Sequence, residues 1–401
     1  MKIIEGGLCA VDDILVSASK DGKYGLAIIS NKGSNAAAVF TSNKVVANPI
    51  TLTKESIKNG KIDAIVVNSG NANCYNGKQG LMDAKLMVKQ VADTLNISQD
   101  NVAVASTGVI GRSMPMDIIS PLIESNLKSL NHSKKSAHDV AKAIMTTDTV
   151  PKEISVETTL NDGSIAKIGA VTKGSGMIEP NMGTMLSFIV TDVDATPEEL
   201  NKSLKEAVNQ SFNMIVVDGD ESTNDMALLM STCKSGNIDE NFQEALNFVC
   251  LELAKMMVKD GEGASKYIEV EVKNAKSVED AKLAAKSIAK SSLVKSAIFG
   301  NDPNWGRILV AIGYSGAEID ANKLSISLDA LDDESLTEIF VVKEGVVKAL
   351  DNTKELSDSE ELIKNKEIKI TVDLNIGSEC ASAYGCDLTY DYVKINAEYT
   401  T

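Results

Sequence analysis

Met185-Leu186-Ser187-Phe188-Ile189-Val190 is the stretch that most limits how this chain can fold. A short, mainly apolar run bounded by turn residues reads as a buried strand. The residues before it cannot continue a helix, because Lys173-Gly174-Ser175-Gly176-Met177-Ile178-Glu179-Pro180-Asn181-Met182-Gly183-Thr184 is too rich in Gly, Pro and Asn. Thr184 therefore stands at the mouth of a buried strand, directly after Gly183. A threonine that opens a strand is commonplace. Its chemistry here is less so: the hydroxyl is a weak nucleophile and needs a base. Cutting the Gly183–Thr184 peptide would supply one, since a free α-amine has an ordinary pKa of about 7.7–8.0, close to what a general base requires at neutral pH.

Histidine points the same way by its scarcity. Only His132 and His138 occur, both in the polar stretch Asn131-His132-Ser133-Lys134-Lys135-Ser136-Ala137-His138, where a helix entry on the surface is expected. This argues against a Ser-His-Asp triad and against a multi-histidine metal site. The formal charge of −16 argues against nucleic acid as a partner, because phosphate contacts need a basic footprint. The six cysteines are scattered without a CxxC pair, as expected for free thiols in a reducing cytosol. The first residues lack a signal-peptide core, and no apolar run approaches membrane-spanning length. The expected location is the cytoplasm.

Several further strands empty into polar loops. Tyr24–Ile29 and Ala36–Phe40 read as strands. Ala64-Ile65-Val66-Val67 runs into Asn68-Ser69-Gly70-Asn71-Ala72-Asn73-Cys74, readable as ordinary turns or as a backbone cradle for an anion. A helix follows with Leu81, Ala84, Val88, Val91 and Leu95 on one face. Val102-Ala103-Val104-Ala105 ends in Ser106-Thr107-Gly108. Thr196-Pro197-Glu198-Glu199 is a helix start with a capping box. Met214–Val217 reads as a strand ending in Asp218-Gly219-Asp220-Glu221-Ser222-Thr223-Asn224-Asp225, which imitates a calcium loop. Thr223 stands where that loop needs its glycine and Leu229 where it needs its last glutamate, so no metal is expected. A helix over about 239–259 carries Phe242, Leu246, Val249, Leu253 and Met256 inward and ends at Asp260-Gly261-Glu262-Gly263, readable as a solvated turn. Composition changes near residue 275. Beyond it strands are expected near 308–313, 324–328, 338–343 and 367–374, with helices near 281–296 and 357–364. The alternation of Val393 and Ile395 predicts a strand leading to the end of the chain. Neither a phosphate loop nor a dinucleotide fingerprint is present.

The segment around Thr184 resembles the self-cleaving loop of the ornithine acetyltransferases of cyclic arginine biosynthesis, the glutamate N-acetyltransferase family. The matching motifs run in order from Asn68 to Thr401 and include the runs at Ser106–Gly111, Thr146–Thr149, Asp218–Asp225 and Gly300–Arg307. Two positions depart from the family pattern: Gly183 replaces the usual Ala, and Glu221 replaces the usual residue of its run. The resemblance implies an α/β fold of mixed, stacked sheets flanked by helices, similar to N-terminal-nucleophile hydrolases. It implies a main catalytic domain over 1–275, with a second α/β domain over 276–401 whose tail joins the site. It further implies self-cleavage between Gly183 and Thr184 into fragments 1–183 and 184–401, assembled as a heterotetramer with two copies of each.

The implied reaction is transfer of acetyl from N2-acetyl-L-ornithine to L-glutamate through an acetyl-Thr184 ester. Acetyl-CoA as a second donor is left open, and no cofactor is implied. Thr107 and Gly108 match the oxyanion element. That role suits a hydroxyl and a backbone N–H aimed at developing charge. Thr147, Lys173, Glu262, Asn396 and Thr401 match substrate contacts, as does Thr184 itself. A cationic Lys173 suits a substrate carboxylate, and an anionic Glu262 suits an amine. Two other readings share these residues: a self-processing aminopeptidase or amidase on the same scaffold, and an uncleaved amino-acid-binding protein.

Overall fold

A computed structural model describes residues 1–179 and 185–398. The described residues divide into two compact units, one built from residues 1–213 and 220–257, the other from 214–219 and 258–398. Tyr267–Ala275, which composition groups with the first part, lies inside the second unit's sheet.

The first unit contains two sheets. A six-stranded sheet runs in the order Lys2–Ile3, Lys152–Thr159, Ile165–Lys173, Leu186–Thr191, Met226–Ser231 and Asn35–Phe40. A four-stranded sheet runs Leu15–Asp21, Tyr24–Ser30, Ala64–Asn71 and Val102–Val109. Leu186–Thr191 pairs in parallel with Met226–Ser231 and antiparallel with Ile165–Lys173, and every residue of Leu186–Thr191 is buried. Strands covered on both faces read as continuous apolar runs rather than alternations, which is why the run at 185–190 is so legible.

One face of each sheet meets the other. Leu186, Phe188, Val190, Met226, Leu228 and Met230 from the first pack with Val16, Ala27, Ile29, Ile65, Val67, Ala103 and Ala105 from the second. Fully burying a side chain such as Phe188 is worth roughly 1.5–3 kcal/mol. Helices Gly77–Leu95 and Met116–Lys128 cover the far face of the four-stranded sheet through Met87, Val88, Val91, Ile119 and Ile123. Helix Pro197–Gln210 begins with the expected capping box, Thr196 and Glu199 each bonding the other's backbone. It is tied to helix Glu240–Lys259, where Gln243 Nε2 donates to Ser203 O (3.1 Å). Met257, rather than Met256, closes that helix's buried face, since the step from Leu253 is four residues. The architecture is mixed α/β, with stacked sheets and flanking helices.

The second unit is a seven-stranded sheet ordered Ile215–Val216, Glu379–Cys386, Tyr267–Ala275, Glu367–Asp373, Ser325–Ala330, Ile339–Lys343 and Val346–Val347. Helix Val278–Lys290 packs on it with Ala281, Ala284, Ala285 and Ile288 buried. Two expected strands are helices. Residues 308–313 lie within helix Trp305–Gly313, because the Asn304 side chain accepts the Arg307 N–H as a cap and Ile308, Ala311 and Ile312 form its buried stripe. The tail is helix Tyr390–Glu398, started by the Thr389 hydroxyl, which accepts from the backbone N–H of Asp391 (3.1 Å) and Tyr392 (3.3 Å).

Candidate active site

Gly108 sits where strands Ala64–Asn71 and Val102–Val109 end side by side, paired with Gly70 next to an irregularity at Asn71. Its φ is +128°, and a Cβ there would lie 2.4 Å from Gly70 C and 2.6 Å from Asn71 N. Only glycine fits this position. The asparagines around it are scaffolding. Asn224 Nδ2 donates to Ala72 O (2.6 Å) and Ser106 O (2.8 Å), while Ser106 Oγ donates to Asn68 Oδ1 (2.5 Å). Asn68 Nδ2 in turn donates to Asn71 O (2.9 Å). The N–H groups of Ala72 and Asn73 are also consumed, by Val109 O and Asn71 Oδ1, so these two do not point an open pair of donors at an anion. Thr107 is buried.

Thr147 and Lys173 are brought together by a residue the sequence reading passed over. Asp148 Oδ1 accepts from Lys152 Nζ (2.8 Å) and from the Gly174 backbone N–H (2.7 Å). Its Oδ2 accepts from the Thr146 N–H (3.0 Å) and lies 3.9 Å from Lys173 Nζ. Lys173 Nζ donates to Thr146 Oγ1 (2.8 Å), and the Thr147 and Ser175 hydroxyls share a hydrogen bond (2.9 Å). Burial alone would raise the Asp148 carboxyl. Lys173 and Lys152, with the Lys152 and Gly174 hydrogen bonds, outweigh it and hold the group well below the usual carboxylate range. This cluster ties the 146–148 turn to the start of the loop that leads to Thr184.

A second passed-over residue is Asp225. The Met226 N–H donates to Met185 O (2.9 Å), and Met226 pairs with Leu186, so Asp225 lies at the strand end beside Met185. The preceding Glu221 is occupied elsewhere, accepting through Oε1 from the Ser42 N–H (3.0 Å) and hydroxyl (2.6 Å). The only legible signal for Asp148 and Asp225 was their place at the ends of polar runs beside buried strands.

In the second unit Glu262 and Asn396 meet: Asn396 Nδ2 donates to Glu262 Oε2 (2.8 Å) and to Tyr392 O (3.1 Å). Gly263 follows with φ +68° and takes the Thr389 hydroxyl on its carbonyl (2.6 Å). Gly183, Thr184 and Thr401 lie outside the described residues. Among the described residues no three His, Cys, Asp or Glu side chains converge as a metal site, and no helix is long and apolar enough to cross a membrane.

The ArgJ family profile matches residues 14–401. The glutamate N-acetyltransferase of Methanothermobacter thermautotrophicus is 57% identical over 401 residues, covering 100% of this chain and 99% of the relative. That of Methanosarcina mazei is 50% identical over 407 residues, covering 100% of each. Among solved structures, the arginine biosynthesis bifunctional protein argJ of Bacillus halodurans is 42% identical with a TM-score of 0.49, covering 54% of this chain and 100% of that one. With its profile matched over nearly the whole length, this chain belongs to the ArgJ family.

Proposed function

We propose that the protein is an acyltransferase that moves the acetyl group of N2-acetyl-L-ornithine to L-glutamate, a step of arginine biosynthesis. The observation that carries this reading is the 57% identity to a glutamate N-acetyltransferase across the full length of both chains. In the proposed cycle the Thr184 hydroxyl attacks the acetyl carbonyl, and the Thr107 hydroxyl and Gly108 N–H stabilise the oxyanion. Ornithine leaves, and the α-amine of glutamate then attacks the acetyl-Thr184 ester. Lys173, Thr147, Glu262, Asn396 and Thr401 hold substrate. The hydrogen-bonded cluster around Thr147 and Lys173 supports a shared role for those two in the first unit, and the Glu262–Asn396 bond supports one for that pair in the second. Self-cleavage at Gly183–Thr184 precedes the cycle and releases the α-amine that acts as base. The mature form is a cytoplasmic heterotetramer of fragments 1–183 and 184–401.

The test is incubation of purified protein with acetylornithine, with and without glutamate. N-acetylglutamate should form with ping-pong kinetics, and radiolabelled acetyl should stay on the 184–401 fragment when glutamate is withheld. Release of acetate at the same rate without glutamate would point to an amidase instead. A single band at 42.6 kDa on a denaturing gel would overturn self-cleavage.

A further inference from the structure

Asn396 is exposed and Glu262 half-buried. A hydrogen bond between two such side chains fixes neither of them by itself, because water competes for both groups. What fixes the backbone beneath them is buried. Thr389 is only 6% exposed, and its hydroxyl donates to Gly263 O (2.6 Å) while accepting the N–H groups of Asp391 (3.1 Å) and Tyr392 (3.3 Å). One donor and two acceptor sites are all that a hydroxyl has. One helical turn on from Tyr392, Asn396 Nδ2 bonds both Tyr392 O (3.1 Å) and Glu262 Oε2 (2.8 Å). These contacts close a ring that runs from Glu262 through Gly263, Thr389, Tyr392 and Asn396 back to the Glu262 carboxylate. Gly263 lies so close to the start of helix Tyr390–Glu398 that a Cβ on it would stand 2.5 Å from Tyr392 N. Asp387 steadies the far side of the turn, accepting the N–H groups of Ser265 (2.8 Å) and Lys266 (3.0 Å).

We propose that Thr389 is a positioning residue for the amine-bearing substrate: its hydroxyl sets the Glu262 carboxylate against the Asn396 amide, so that the carboxylate meets a substrate ammonium in one orientation. The inference rests on Glu262 and Asn396 being substrate contacts. Of the two substrates, N2-acetyl-L-ornithine is the one that a carboxylate suits. Its ionised side-chain group is an ammonium, whereas that of glutamate is a carboxylate, which a like charge opposes. Thr389 acts through Glu262 and Asn396, so its contribution is to binding and not to the transfer of the acetyl group.

The test is steady-state transfer by the purified full chain, with each substrate varied in turn. Thr389→Val keeps the shape of the side chain and removes the hydroxyl. Its kcat/KM for acetylornithine should fall about tenfold or more, while kcat and the kcat/KM for glutamate hold within about threefold, the split expected when uniform binding of one substrate is lost. Thr389→Ser restores the donor and both acceptors and should stay within about threefold of wild type on every constant. In a Glu262→Gln background Thr389→Val should add little, because it acts through that carboxylate. Thr389→Val with a kcat/KM for acetylornithine within about threefold of wild type overturns the proposal. So does an equal loss in Thr389→Ser, or an undiminished further loss in the Glu262→Gln background. A valine variant that loses its circular dichroism overturns it as well, because the hydroxyl then holds the fold and not the site. Failure of the underlying reading has its own signature: Glu262→Gln leaves the kcat/KM for acetylornithine unmoved, and the proposal falls with it.

Discussion

Replacing Asp148 by Asn removes the carboxylate that two buried lysine ammonium groups share. Lys152 is 1% exposed, and its ammonium lies 2.8 Å from Asp148 Oδ1, while Lys173 lies 3.9 Å from Oδ2. At an effective dielectric constant of 20 these attractions amount to about 6 and about 4 kcal/mol. Desolvation of each buried ion costs several kcal/mol and offsets much of that. Removing one partner leaves the desolvation cost without the attraction, so Asp148→Asn should lose about 3–5 kcal/mol, read by urea unfolding with far-UV circular dichroism. Lys152→Met in the Asp148→Asn background should recover part of the loss, because an apolar group then fills the site without a charge. A double-mutant cycle should therefore give a coupling well above about 1 kcal/mol.

The pH dependence follows from the direction of the shift. The folded carboxyl is held below its unfolded value of about 3.9. Its contribution is therefore fully present above that value and is lost as pH falls through the lower folded value. The wild-type and Asn curves should converge only in strong acid. A loss under about 1 kcal/mol, or additive single losses, would show that the cluster is not the electrostatic unit its geometry describes.

Two further outcomes follow from the strand ends. Gly108→Ala forces a Cβ to 2.4 Å from backbone at a φ of +128°. It should cut acetyl transfer by about 100-fold or more and lower the melting temperature, as seen by coupled assay and calorimetry. Asn224→Ala deprives the carbonyls of Ala72 and Ser106 of their donor. At about 1–3 kcal/mol for each orphaned group, urea unfolding should show a loss of about 2–6 kcal/mol, and a change under about 1 kcal/mol would mean that water replaces the amide.

Most of the sheet framework was legible because its strands are buried on both faces. Ala64–Val67, Val102–Ala105 and Met185–Val190 are unbroken or nearly unbroken apolar runs, and a run of that length bounded by turn residues has few other uses. The capping box at Thr196 was legible because its physics is contained within four residues. Where the reading failed, the deciding contact lay outside the pattern. Ile308–Gly313 has the composition of a strand, yet the Asn304 cap and a stripe at Ile308, Ala311 and Ile312 make it a helix. Val393 and Ile395 alternate as in a strand, yet the Thr389 hydroxyl starts a helix ahead of them.

The sequence by itself determined the residue types available for chemistry: a threonine after a glycine at a strand mouth, a Thr-Gly strand end, and almost no histidine. Only the tertiary structure decided which charges support them. Asp148 reaches Lys152 within its own turn, but Gly174 and Lys173 come to it from a strand about 25 residues further on. Asp225 reaches Met185 through a parallel strand pairing about 40 residues apart in sequence. Both carboxyls look alike in a one-dimensional reading. Lysines surround one and hold its carboxyl well below the usual range, whereas burial pushes the other well above it, and that difference exists only once the strands are side by side.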